Sequence, residues 1–102
     1  MKRILKTAAF DRWLRNLKDR EALRRIAERI DRARTGHFGD CSVIADGVSE
    51  MRIHHGPGYR VYFTLRGDDL VILLAGGNKS TQARDIRLAL QLALDLRGHH
   101  GG

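Results

Sequence analysis

Glu50, Arg52 and His54 alternate with Met51 and Ile53, and Arg60, Tyr62 and Thr64 alternate with Val61 and Phe63. In extended chain, successive side chains point to opposite faces, so each polar set shares a face when its apolar neighbours take the core. Gly56-Pro57-Gly58 between the two segments reads as a turn, which makes them antiparallel neighbours. At the roughly 4.8 Å spacing of paired strands, a carboxylate, two guanidiniums, an imidazole and a phenol then lie within about 10 Å of one another. That set suits cleavage of an RNA phosphodiester. A general base takes the 2′-OH proton, cations stabilise the anionic phosphorane, and an acid protonates the leaving 5′ oxygen. Arg52 and Arg60 match phosphate oxygens as bidentate donors. His54 carries the one side chain of the set whose reference pKa is near neutrality, and Tyr62 can stack on an unpaired base. Arg52, His54, Arg60 and Tyr62 are thus the candidate catalytic residues, and truncating Arg60 is expected to leave the core unchanged. Glu50 and Lys79 are candidate substrate contacts. The same pattern also fits a solvated antiparallel face on which Glu50 and Arg52 form a surface ion pair.

Other reactive residues are less organised. Lys79 follows Gly76-Gly77 near a helix start, which hints at an anion site but completes no phosphate-binding motif. His55 reads as structural, and His37, His99 and His100 are too scattered to suggest a metal site. Cys41 is the single cysteine, so no internal disulfide is possible and a reducing compartment is expected.

The elements that must hold the polar face in place follow from periodicity. Phe10, Trp13, Leu14 and Leu17 recur at helical spacing from Thr7 to about Lys18. Asp19 is a fresh N-cap for a second helix with Leu23, Ile26, Ala27, Ile30 and Ala33 on its apolar face, closed by Gly36. The two should form a hairpin. Beyond Gly36 the period drops to two. Asp46-Gly47, Gly56-Pro57-Gly58 and Gly67-Asp68-Asp69 punctuate a meander. Leu70 to Leu74 is a continuous apolar run, as in a strand covered on both faces, and Arg3 to Lys6 can add an edge strand. A last helix, capped by Ser80 or Thr81, runs to about Leu96. At about 100° per residue its apolar positions cover roughly 240°, more than a surface helix needs. Leu88, Leu92 and Leu96 form a ridge at i, i+4 and i+8, which either the domain core or a partner must cover. The expected architecture is α+β with order βααβββα, a single domain over 1–97 and a flexible tail over 98–102.

The formal charge of +7 is unevenly placed: residues 1–36 hold twelve Lys/Arg against five Asp/Glu. A basic first third favours a polyanionic partner, although a solvated helical face would look the same. The chain shows neither a signal-peptide pattern nor an apolar run approaching a membrane span, so a soluble, cytoplasmic protein is expected.

The stretch Gly47-Val48-Ser49-Glu50-Met51-Arg52-Ile53 and the following Gly56-Pro57-Gly58-Tyr59-Arg60-Val61-Tyr62-Phe63 resemble the central signature of the RelE/ParE superfamily. Leu73-Leu74-Ala75-Gly76-Gly77-Asn78-Lys79-Ser80-Thr81-Gln82 with Asp85-Ile86 continues the likeness. So do Phe10-x-x-Trp13-Leu14-x-x-Leu17-x-Asp19 and Gly36-x-Phe38-Gly39-Asp40. The branch resembled is the HigB-like group of addiction module killer proteins, over about residues 4–93. The resemblance implies the RelE-like fold: a strand, a helical hairpin, a three-stranded antiparallel meander and a final helix. It also implies the toxin of a type II toxin–antitoxin system. Such a toxin cuts messenger RNA in the ribosomal A site, needs no cofactor, and is neutralised by a helix-turn-helix antitoxin that alone contacts operator DNA. On that pattern Arg52, Arg60 and Lys79 match the family's cationic positions and Tyr62 its aromatic face; the Leu88, Leu92 and Leu96 ridge, taken from the apolar arc of the last helix, is the candidate antitoxin contact. The chain departs from the best-known ribonucleases in lacking their sheet lysines and their functional Tyr or His near the C-terminus. A ParE-like gyrase poison without nuclease activity, or a non-catalytic nucleic-acid-binding module, are the alternative readings.

Overall fold

Thr7 and Asp19 set the helical hairpin in place through their side chains. Thr7 Oγ1 accepts a hydrogen bond from Phe10 N at 3.0 Å and donates to Leu74 O at 2.6 Å, so it caps one helix and ties it to the sheet. Asp19 accepts from Ala22 N at 3.1 Å and caps the next helix. The computed structural model describes backbone from Met1 to Gly101 and side chains as far as Gly98. Its elements are β1 (Arg3–Lys6), α1 (Ala8–Asn16), α2 (Arg20–Ala33), β2 (Cys41–Ala45), β3 (Val48–Ile53), β4 (Tyr59–Arg66), β5 (Leu70–Asn78), a 3-10 turn (Lys79–Thr81) and α3 (Gln82–Gly101). α3 runs past its expected end near Leu96 to Gly101, through the segment expected as a flexible tail over 98–102, of which Gly102 lies outside the described residues. No helix among the described residues is long and apolar enough to cross a membrane.

The five strands lie in the order β1-β5-β4-β3-β2, with β1 parallel to β5 and the other neighbours antiparallel. The meander therefore has four strands, not the expected three, and the order is βααββββα. The added strand, β2, sits at the sheet edge and is largely exposed. An edge strand buried on neither face leaves no alternation to read. The Asp46-Gly47 turn joins it to β3, with both residues at positive φ (49° and 79°), as a two-residue hairpin requires.

Two cores sit on opposite faces of the sheet. One packs α1 and α2, through Phe10, Ala22, Ile26 and Ile30, on Met51, Ile53, Val61, Phe63, Val71 and Leu73. The other packs Ala89 and Ala93 of α3 on Val48, Tyr62, Ile72, Leu74 and Ala75. β5 is thus covered on both faces, as its unbroken apolar run implies. It also carries an extra residue, since Tyr62 pairs with Ala75 but Phe63 with Leu73. Leu74 and Ala75 then both belong to the α3 side.

That bulge sets the two glycines that follow. A Cβ on Gly76 would lie 2.2 Å from the Trp13 ring, and one on Gly77 would lie 1.7 Å from Asp85 Oδ2. Gly76-Gly77 is therefore the place where α1 and α3 close onto opposite sides of one strand. The last helix starts differently from expectation. Asn78 caps the 3-10 turn, its side chain accepting from Ser80 N while Thr81 Oγ1 accepts from Asn78 N. Ser80 and Thr81 lie within that turn.

Candidate functional site

Strand register puts Arg52 directly opposite Arg60, and Glu50 opposite Tyr62. Two guanidiniums facing each other repel. Glu50 holds them together: its Oε2 lies 3.2 Å from Arg60 Nε and 3.6 Å from Arg52. The Arg60 N–H is not aligned on that oxygen, so this is an ion pair without a hydrogen bond at Nε. Gln82, at the start of α3, donates from Nε2 to Glu50 Oε1 at 3.2 Å. Glu50 is only 4% exposed. It reaches the surroundings through the arginines it positions and offers no direct substrate contact in this arrangement.

Tyr62 departs furthest from expectation. Its side chain is completely buried beneath α3, and its hydroxyl has no hydrogen-bond partner among the described residues. Burial, reinforced by the charges of Glu50 and Asp85, pushes the phenol pKa up to about 12. A phenol so placed keeps its proton at neutral pH and cannot stack on an incoming base. Residue parity correctly put Tyr62 on the face of Glu50 and Arg60, but α3 roofs that part of the face.

Beyond the roof the face opens. Arg52, His54, His55, Arg60 and Lys79, with the Gly56-Pro57-Gly58 turn, line a cleft of about 430 Å³. Lys79 is exposed and has no ion-pair partner among the described residues. His54 is 73% exposed in its side chain. Its organiser is Asp40, a residue that spacing within the strands could not select. The backbone carbonyl of Asp40 accepts from Arg52 N at 2.9 Å, which sets the carboxylate beside the arginine. Asp40 then receives Arg52 bidentately, at 2.7 Å and 3.2 Å, and lies 2.6 Å from His54 Nε2. Ser42 Oγ accepts from Arg52 Nη1 at 2.8 Å. The Arg52 hydrogen bonds first, then His54, hold the Asp40 carboxyl well below the usual carboxylate range. An ionised carboxylate only accepts, so Nε2 of His54 carries the proton and Nδ1 is the nitrogen left for proton exchange. In the sequence Asp40 is marked only by its place at the end of Gly36-x-Phe38-Gly39-Asp40. His55 bridges to Asp19 at 3.0 Å, which anchors the turn to the α2 N-cap, so it is structural as read while also lining the cleft.

A carboxylate with a depressed pKa contributes stability that is present above its unfolded pKa, near 3.9, and lost as pH falls through the folded value. Melting temperatures of wild type and Asp40→Asn should therefore differ most above about pH 4 and converge toward pH 2. An equal gap at pH 6 and pH 2 would show that Asp40 is not held by Arg52 and His54.

The third predicted group is split. The middle of the α3 arc faces the sheet through Ala89 and Ala93, with Leu92 and Leu96 partly buried beside them. The margins are open: Leu88 is 42% exposed and Leu94 54%. The ridge is thus part core and part surface.

Fold and cleft together define a small three-layer α+β domain with a basic site at one end of its sheet. Residues 12–94 match the family model described as Phage derived protein Gp49-like (DUF891), and the chain belongs to that family, which is related to toxin–antitoxin systems. It is similar to an uncharacterised protein of Haemophilus influenzae strain Rd, 49% identical over 90 residues that span 88% of this chain and 91% of the relative.

Proposed function

We propose that the chain is the toxin of a type II toxin–antitoxin module and acts as a ribosome-dependent messenger-RNA endoribonuclease of the RelE/HigB kind. The observation that carries this reading is the cleft in which Arg52, His54, Arg60 and Lys79 converge, with Asp40 orienting two of them. Family membership supports the toxin role.

In this reading a backbone phosphate sits among Arg52, Arg60 and Lys79, whose charges stabilise the pentavalent transition state. His54 Nδ1 exchanges the proton, removing it from the 2′-OH or delivering it to the 5′ oxygen, while Asp40 keeps the ring in one tautomer. Glu50 positions the two arginines, and Tyr62, buried beneath α3, takes no part. The chemistry is assigned to side chains alone, without a metal or cofactor. Partners are messenger RNA on the ribosome and a cognate helix-turn-helix antitoxin, through which alone operator DNA is contacted. The protein acts in the cytoplasm.

Induced expression followed by mapping of transcript 5′ ends tests the activity. New ends phased with codons are expected. Intact transcripts with cleaved or poorly supercoiled DNA would overturn the ribonuclease reading in favour of gyrase poisoning.

The antitoxin contact is assigned to the open margin of α3, with Leu88 its most exposed member among Leu88, Leu92 and Leu96. Leu88→Glu should fold normally by circular dichroism and weaken capture of the antitoxin by about tenfold or more, as loss of an interface anchor does. Leu92→Glu should lower the melting temperature first, because its side chain packs on the second core. Normal antitoxin affinity in a folded Leu88→Glu variant would remove α3 from the interface.

A further inference from the structure

His54 lines two clefts. On its other side a second groove of about 300 Å³ runs along α2, walled by Arg25, Arg29 and Arg32 with Glu28 and Ile53. The three arginines stand at i, i+4 and i+7, one face of the helix, and at 1.5 Å per residue they extend about 10 Å. The one acid in the groove, Glu28, is paired with Arg24, and Arg25 pairs with Glu21 one turn earlier at 3.1 Å. Arg32 is exposed and has no ion-pair partner among the described residues.

Arg29 makes the groove more than a solvated helix face. Its guanidinium is partly buried and donates to three backbone carbonyls, Arg52 O at 2.6 Å, Phe38 O at 2.8 Å and Asp40 O at 3.2 Å. No carboxylate lies within ion-pair distance among the described residues, and the Nε–H is buried without an acceptor. The nearby Asp40 carboxylate is committed to Arg52 and His54. Taking a cation from water without a paired counter-charge is costly; the Asp40 carboxylate offsets this only from a distance, so Arg29 adds positive charge to the groove wall. Carbonyl partners fix its position without cancelling it.

We propose that this groove is a second subsite, which binds the phosphates flanking the reacting one on a single-stranded RNA. The strand passes over His54 from the cleft and follows Arg25, Arg29 and Arg32 along α2. The inference rests on the ribonuclease reading of the cleft. A basic groove that tracks the backbone gives affinity without base preference, and its signature is salt dependence.

The test uses a fluorescent octaribonucleotide with 2′-O-methyl groups throughout, which cannot be cleaved, and follows its anisotropy between about 50 and 200 mM salt. Arg25→Gln with Arg32→Gln should weaken binding about tenfold and lower the slope of log affinity against log salt by about 1.4, the value for two lost contacts on a single strand. A trinucleotide of the same chemistry, too short to leave the cleft, should lose much less. Arg29 is kept, because it ties α2 to β3. Lys79→Ala probes the cleft in parallel. If Lys79→Ala weakens the octanucleotide while the double variant binds with the wild-type slope, the second subsite is overturned and the cleft reading stands. If the double variant weakens binding but Lys79→Ala does not, the groove stands and the cleft is not where RNA sits. Wild-type protein that binds neither oligonucleotide at 50 mM salt overturns both.

Discussion

Arg60→Ala is expected to abolish growth inhibition, lowering the cleavage rate by about 10²- to 10³-fold, the cost of removing one preorganised donor to the transition state. It should also destabilise the fold, which parity alone would not suggest. Arg60 is only 12% exposed in its side chain and faces the buried Glu50 carboxylate at 3.2 Å. Truncation leaves Glu50 with Gln82 and the more distant Arg52 alone, and breaking a buried pair costs about 3–5 kcal/mol. The low end applies here because those two partners remain. The two effects separate in a second variant. Glu50→Gln combined with Arg60→Ala removes the stranded charge, so thermal stability should recover toward wild type while transcripts stay intact. A folded double variant that inhibits growth and generates the same transcript ends as wild type would take Arg60 out of the chemistry.

Gly77→Ala should be the most damaging single methyl group in the chain. The new Cβ would sit 1.7 Å from Asp85 Oδ2, and 2.7 Å from Thr81 Oγ1. Asp85 is short and buried and accepts a hydrogen bond from Thr81, so it cannot swing aside as a long surface side chain would. Relief requires the first turn of α3 to lift from the sheet, which takes Gln82 away from Glu50 and loosens the arginine pair. Overpacking of this kind costs about 3 kcal/mol or more. In a domain of this size that lowers the melting temperature by roughly 15 °C. Gly76→Ala presses on the Trp13 ring from the other face and should cost a similar amount without disturbing Gln82. Thermal melts of both variants, read beside cleavage, check the pair. A Gly77→Ala protein as stable as wild type would mean that α3 is not seated on β5 as described.

The local signals in the sequence carried most of the backbone. Thr7 and Asp19 cap their helices because a side-chain oxygen three residues before an unpaired N–H is sufficient, whatever the rest of the chain does. Asp46-Gly47 turns because both residues tolerate positive φ. Alternation placed Glu50, Arg52, Arg60 and Tyr62 on one face, and the apolar run of β5 announced burial on two. The excess apolar arc of α3 indicated a helix that covers more than one surface. All of these depend on neighbours within a few positions.

What lies over a face, and what approaches an edge, depends on residues far apart in the chain. The sequence ranks Tyr62 as a free aromatic and Glu50 as a solvated acid. Only the docking of α3 through the small side chains of Ala89 and Ala93, which let the helix approach closely, buries both. Asp40 lies twelve residues before Arg52 and fourteen before His54, in a segment with no pattern of its own. Pairing of β2 with β3 brings it beside them and turns an arginine and an exposed histidine into an oriented pair. Period and capping are one-dimensional properties that a string of residues contains. The cover of a sheet and the partner of a charge are set by which surfaces meet when the apolar faces are buried together.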